Sequence, residues 1–243
     1  MIDDKEPGDA DFSESGQPIY RHRPRISGEP PATGDSHMRQ ISDHIERQLG
    51  PIKFVLDEVG SEFVHLDVHY VAPSDARPWT TLVTSGMSDR PMQVPDELSD
   101  FAYSELMINL PASWPIDIEQ FEDESIYWPI RLLKTLARFP HRYETWLGYG
   151  HTVPHGDPPT PYDPSTEFCC ALLSFPQSAG EDFFSLSVRD DKVIRFWSLV
   201  PLYREELDYK LRYGTDALED LFAEHSVGDM VDVDRANVTL GGD

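Results

Sequence analysis

A chain of 243 residues with 39% hydrophobic content is long enough to bury one sizeable core and short enough to be a single domain. Its formal net charge of −24 repels phosphate backbones and argues against direct nucleic-acid binding. The same charge would steer a basic protein partner toward it, although solubility alone would also account for so acidic a surface.

The N-terminus, Met1-Ile-Asp-Asp-Lys-Glu-Pro7, lacks the basic and apolar regions of a signal peptide. Residues 1–36 are rich in Pro, Gly, Ser and Asp, show no apolar period, and are expected to be disordered. Within them the basic island Tyr20-Arg-His-Arg-Pro-Arg25 could fold back on the acidic body, bind a partner, or stay a solvated tail. A helix is predicted from an N-cap at Ser36 or Asp35, with Met38, Ile41, Ile45 and Leu49 on one face and Gly50-Pro51 stopping it. Strands follow at Ile52–Val59, Val64–Tyr70, Thr80–Thr84 and Ser99–Asn109. The second alternates cleanly, with Val64, Leu66, Val68 and Tyr70 on one side and His65, Asp67 and His69 on the other.

Ile126–Phe139 reads as a helix, with Pro129 in its first turn, Leu132, Leu133, Leu136 and Phe139 as its stripe, and Pro140 as its end. A proline-rich loop covers 148–165. Strands are predicted at Phe168–Phe175, Phe183–Val188 and Val193–Val200, the last two joined by a turn at Asp190-Asp191. Cys169 and Cys170 are adjacent in an apolar run, so they are expected to be small core residues in a reducing compartment. Helices at Pro201–Tyr213 and Thr215–His225 close the chain. Grouped strands favour an α+β fold, a mixed, largely antiparallel sheet with helices packed on it, as one domain over 37–243. No Gly-x-Gly-x-x-Gly or Gly-Lys-Ser/Thr motif is present, and no cofactor is expected. No apolar run approaches the ~20 residues that cross a bilayer, so a cytoplasmic protein without membrane contact is expected.

Three constellations have residue types suited to chemistry. His65, Asp67 and His69 share a strand face, but two imidazoles there start about 7 Å apart at their backbones and need a helper ligand to share a metal. No metal site is expected; the alternative is a solvent-facing polar stripe. Ser85 follows a strand, as a nucleophile would, and His151 and Asp157 could complete a triad, yet the flanks Val83 and Met87 break the Gly-x-Ser-x-Gly pattern. The expected reading is a turn built on Gly86, with Ser88 or Asp89 bonded to nearby backbone. The richest segment, Trp146-Leu-Gly-Tyr-Gly-His-Thr-Val-Pro-His-Gly-Asp-Pro-Pro159, combines aromatic anchors with stiffening prolines. It reads either as a binding loop or as a lid packed on the core.

Leu82-Val-Thr-Ser-Gly-Met-Ser-Asp-Arg-Pro-Met92, Glu105-Leu-Met-Ile-Asn-Leu-Pro-Ala-Ser-Trp-Pro115 and the Trp146–Pro159 segment together resemble the Suppressor of fused domain family. His44-Ile-Glu-Arg47 with Leu49-Gly-Pro51, Tyr127–Ala137 and Leu199–Glu206 extend the resemblance over roughly residues 38 to 240. It implies a protein-binding module and no known catalysis. The eukaryotic member holds Gli transcription factors of Hedgehog signalling through a short peptide, laid as an added strand between two domains. This chain is similar to the first of those domains alone, so a partner is expected on a single-domain surface or at a homo-oligomer seam. Bacterial relatives have been proposed as immunity proteins against polymorphic toxins, which would make a toxin the partner here. The binding surface is expected at Ser85, Met87 and Asp89 with Trp146, Tyr149, His151, His155 and Asp157. The enzymatic alternative is a small hydrolase or metal-dependent enzyme using His151, His155 and Asp157.

Overall fold

The computed structural model describes residues 11–24, 32, 37–58 and 63–240. The expected caps Asp35 and Ser36, the strand end at Val59 and Arg25 of the basic island lie outside them. A short hairpin, β1 (Asp11–Phe12) and β2 (Pro18–Ile19), comes first. It differs from the disorder expected of 1–36, because it closes on its own backbone (Ser13 N–H to Gln17 O, 2.9 Å) and docks through Ser15 N–H on Leu211 O, 3.1 Å.

Then follow α1 (Met38–Gln48), β3 (Ile52–Leu56), β4 (Asp67–Val71), β5 (Trp79–Ser85), β6 (Ser104–Pro111), α2 (Glu124–Tyr143) and β7 (Thr152–Pro154). The remainder is β8 (Cys170–Ser174), β9 (Ser185–Arg189), β10 (Lys192–Leu202), α3 (Arg204–Tyr213) and α4 (Thr215–Glu224). The large sheet runs β3-β4-β5-β6-β10-β8-β7, with β9 also on β10. Every pairing in it is antiparallel except β6 with β10, so the fold is α+β with a mixed, largely antiparallel sheet.

Strand alternation sorts the apolar side chains between the two faces. Leu82, Leu106, Ile108, Leu173, Trp197 and Leu199 pack under Trp128, Leu133, Leu136 and Ala137 of α2. Val83, Met107, Ile194 and Phe196 point the other way, under Ile41 and Ile45 of α1. Cys170, Leu172, Val200 and Leu202 share that second face with Leu207 of α3 and Leu218 and Phe222 of α4. Helices on both faces explain why the central strands read as nearly continuous apolar runs. Truncating a residue such as Leu133 in this three-layer core costs ~2–5 kcal/mol.

Two sequence expectations need correction. Pro140 does not end α2. It only withdraws one donor from the last turn, and the helix continues to Tyr143 and stops where Glu144 turns left-handed (φ 50°). The polar side of the Val64–Tyr70 segment does not face solvent either: Asp67 and His69 are buried, and His65 pairs with Asp67 at 3.1 Å. Among the described residues no group of three His, Cys, Asp or Glu is arranged to hold a metal, and no helix is long and apolar enough to cross a membrane.

Candidate partner-binding groove

The stripe that seats α2 on the sheet continues into residues that are only partly covered. Its outer margin, Leu132, Thr135, Leu136, Phe139 and Tyr143, faces Val153, Pro154, His155 and Gly156 across a groove of ≈ 430 Å³, with Glu58 and Tyr162 also lining it. The facing bank is β7, the last strand in the sheet order, which is three residues long and finishes on a proline that has no N–H to donate. Short length and proline blunt such an edge against indiscriminate strand pairing.

The loop beyond β7 is held firmly. His155 N–H donates to Cys169 O (2.8 Å), and Thr160 N–H donates back to His155 O (2.9 Å). The His155 ring donates from Nδ1 to Thr160 O (2.9 Å) and Pro161 O (3.0 Å). Tyr162 stacks parallel on the buried Trp128 ring at 5.4 Å, while Arg131 donates to the Tyr162 carbonyl at 2.9 Å. A bank fixed in this way loses little entropy when a ligand lands on it. The cations of the helical bank are engaged: Arg138 is paired with Glu58, and Arg142 lies over the Tyr143 ring at 5.9 Å. His151 packs on Trp146 with ring centroids 4.2 Å apart, and burial, with Lys210 beside it, lowers its pKa to about 4. It is a neutral packing residue at physiological pH.

The expected binding residues do not form one surface. Ser85 is 1% exposed and Met87 0% exposed, so neither can touch a partner, and their assignment is corrected. The cause lies in the turn itself. Gly86 adopts φ 107°, and a Cβ there would stand 1.9 Å from the His65 carbonyl oxygen. Beneath it the fully buried Glu105 carboxylate accepts from Thr84 Oγ1 (2.7 Å), Gly86 N–H (3.0 Å), Ser88 N–H (2.9 Å) and Ser88 Oγ (2.6 Å). Burial raises its pKa while those four donors oppose the shift. His141 Nε2–H and the Lys192 ammonium bind the Met87 and Ser88 carbonyls at 2.9 and 2.8 Å. The odd composition of this turn thus serves anchorage, and only Asp89 reaches the surface in part.

The triad expectation is not met. Ser85 Oγ meets His69 Nε2 at 2.9 Å, and both residues are sealed from solvent. His155 spends its Nδ1 on backbone, and Asp157, its side chain 85% exposed, pairs with Arg21 at 3.2 Å. Trp146 and His151 are half-buried together. Tyr149 is 37% exposed, stacks on Phe175 at 4.9 Å and donates to Glu219 Oε2 at 2.5 Å. It precedes β7 whereas His155 follows it, so the two stand at opposite ends of that strand. Sequence reasoning missed the helical bank, because Leu132, Leu136 and Phe139 were indistinguishable from core. The dense run Phe139-Pro-His-Arg-Tyr143 was the available signal.

No curated protein matches the chain by sequence. Among solved structures it is similar to one described as a SUFU (suppressor of fused protein) homologue from Neisseria gonorrhoeae, at TM-score 0.59 and 19% identity, covering 82% of this chain and 95% of that one. A chain of the Sufu–Fu complex gives TM-score 0.60 at 14% identity, over 87% and 94%. Drosophila Suppressor of Fused gives 0.58 at 13% identity, and there the match spans 82% of this chain but 50% of the fly protein. At these identities the likeness is one of fold. The family described as Suppressor of fused protein (SUFU) matches residues 63–236, most of the described sheet and helices, and the chain belongs to that family.

Proposed function

We propose that this chain is a non-catalytic protein-binding module that receives a partner segment in the groove between α2 and β7. The observation that carries the reading is the groove itself: a preformed cleft with apolar and aromatic walls and a firmly tied loop on one bank. Family membership supports it, since a relative of similar fold was solved as the Sufu–Fu complex. The net charge of −24 supports a basic partner. The finer reading is a cytoplasmic immunity protein whose partner is a toxin.

The test is affinity capture by the full chain from its native cytoplasm, compared with Thr135→Arg. Thr135 is exposed on the helical bank, and arginine is a good helix former, so the substitution fills the groove without touching the core. The partner is expected to be lost at least tenfold by Thr135→Arg and retained by Tyr149→Ala. Loss by Tyr149→Ala alone would move the site to the Tyr149–Phe175 end of β7, and retention by both would overturn the assignment. For the immunity reading, co-expression with a toxin encoded beside this gene is expected to restore growth with the wild-type chain and not with Thr135→Arg.

A further inference from the structure

The basic island Tyr20–Pro24 stands out in an acidic chain, and it lies against the groove. The β1–β2 hairpin holds its start. Ser15 N–H and Oγ both donate to Leu211 O at 3.1 Å, and Glu14 pairs with Arg212 at 3.3 Å. Two and three residues beyond β2, Arg21 and His22 touch residues of the two banks. The His22 ring meets Phe139 edge-on at 5.5 Å and Tyr143 at 5.9 Å, both on the helical bank, and Tyr20 stacks on His22 at 6.0 Å. Arg21 reaches the opposite bank, donating from Nη1 to Asp157 Oδ2 at 3.2 Å just past Gly156, while its Nε faces Asp11 at 3.4 Å. Two consecutive side chains therefore bridge the two banks with a cation on the acid and a ring on the rings.

We propose that the groove between α2 and β7 is a docking site for a short basic segment bearing aromatic rings, and that Tyr20–Pro24 is the chain's own copy of such a segment, which a partner displaces. Complementarity supports that occupant. The groove's own cations are engaged with Glu58 and Tyr143, Asp157 is an exposed acid at its rim, and the body is strongly acidic. Tethering by the hairpin gives the internal copy an effective concentration on the order of millimolar, enough to compete with a weak ligand and to yield to a strong one. The inference rests on the protein-binding reading above and adds its ligand chemistry and its internal competitor.

The test uses a dye-labelled peptide of residues 18–24, acetylated and amidated, titrated into full-length wild type and full-length Arg21→Glu/His22→Ala. Both substitutions sit on the outer segment, and unchanged melting confirms the fold. The peptide is expected to bind the released variant at least tenfold more tightly than wild type. Adding Asp157→Lys to the released variant is expected to weaken binding about fivefold or more. Equal affinity for the two chains, no binding to the released variant at millimolar peptide, or indifference to Asp157→Lys would each overturn the proposal. If any of these occurs while partner capture still depends on Thr135, only the internal-ligand inference falls. If capture is indifferent to Thr135→Arg, the underlying reading falls instead.

Discussion

Glu105 lies at 0% exposure on a central strand, a costly place for a carboxylate unless every lone pair is used. Four donors aimed at its two oxygens make it the peg on which the Gly86–Ser88 turn hangs. Removing the peg strands those donors, whereas removing one donor leaves three. Glu105→Ala is therefore expected to cost more than about 3 kcal/mol and Ser88→Ala about 1.5–3 kcal/mol, read from urea midpoints at constant slope. Equal small effects would show that the carboxylate is not the anchor. Gly86→Ala is expected to be worse than Ser88→Ala, since its Cβ collides with backbone that cannot swing away. A residue pattern that looked like an exposed polar turn is thus an interior one. The sequence contained both halves, Ser85–Ser88 and Glu105, but their meeting across β5 and β6 is a tertiary fact that spacing does not encode.

Elements were legible wherever periodicity was strong. Ile41 and Ile45 of α1, the Leu132–Leu136 stripe of α2 and the apolar runs of β5, β8 and β10 all sit as their spacing implies, because burial on a known face is what creates the period. What failed was anything set by a neighbour. Pro140 did not stop α2, β7 emerged from a loop because β8 offered it an edge, and His69 was buried by packing its sequence does not mention. The candidate site is half legible: the composition of its loop points to His155, while the apolar stripe of the facing helix has the same spacing as core. The loop's rigidity is an element-scale property with its own test. His155→Ala removes the side-chain donor that binds the Thr160 and Pro161 carbonyls, so amide exchange over 156–165 is expected to speed at least tenfold with little change in global melting. Partner affinity should fall with it, through the ordering entropy the tied loop had spared. Unchanged exchange would show that the backbone bonds of the loop, the Arg131 contact and the Tyr162–Trp128 stack hold the bank without the imidazole.

At the scale of the whole molecule, the fold is closed by helices on both faces, and that closure traps imidazoles. His69 and His141 are sealed, and burial lowers the pKa of each from the ordinary 6.5 to about 4; for His141 the bond to the Met87 carbonyl opposes the shift. His151 is lowered the same way. Groups depressed in the folded state stabilise it fully above the unfolded pKa and lose that contribution as pH falls toward the folded value. At pH 5 an unfolded chain protonates each of these histidines while the folded chain does not, which costs about 2 kcal/mol for each of His69 and His141. Glu105, Asp67 and Asp229 have pKa values raised by burial and act in the opposite sense: their protonation comes earlier in the folded state, so they offset part of the loss at the acid end. Two trapped histidines still amount to a large share of a typical stability of ~5–15 kcal/mol. The urea midpoint is accordingly expected to drop steeply between pH 7.5 and pH 5. His141→Gln separates this cause from general acid sensitivity, because glutamine can donate to the Met87 carbonyl without titrating. That variant should start less stable at pH 7.5 yet lose about 2 kcal/mol less than wild type on going to pH 5. If wild type and His141→Gln lose the same amount, buried histidine does not set the acid limit of this fold, and the raised carboxyl groups or the relief of a −24 charge must govern it instead.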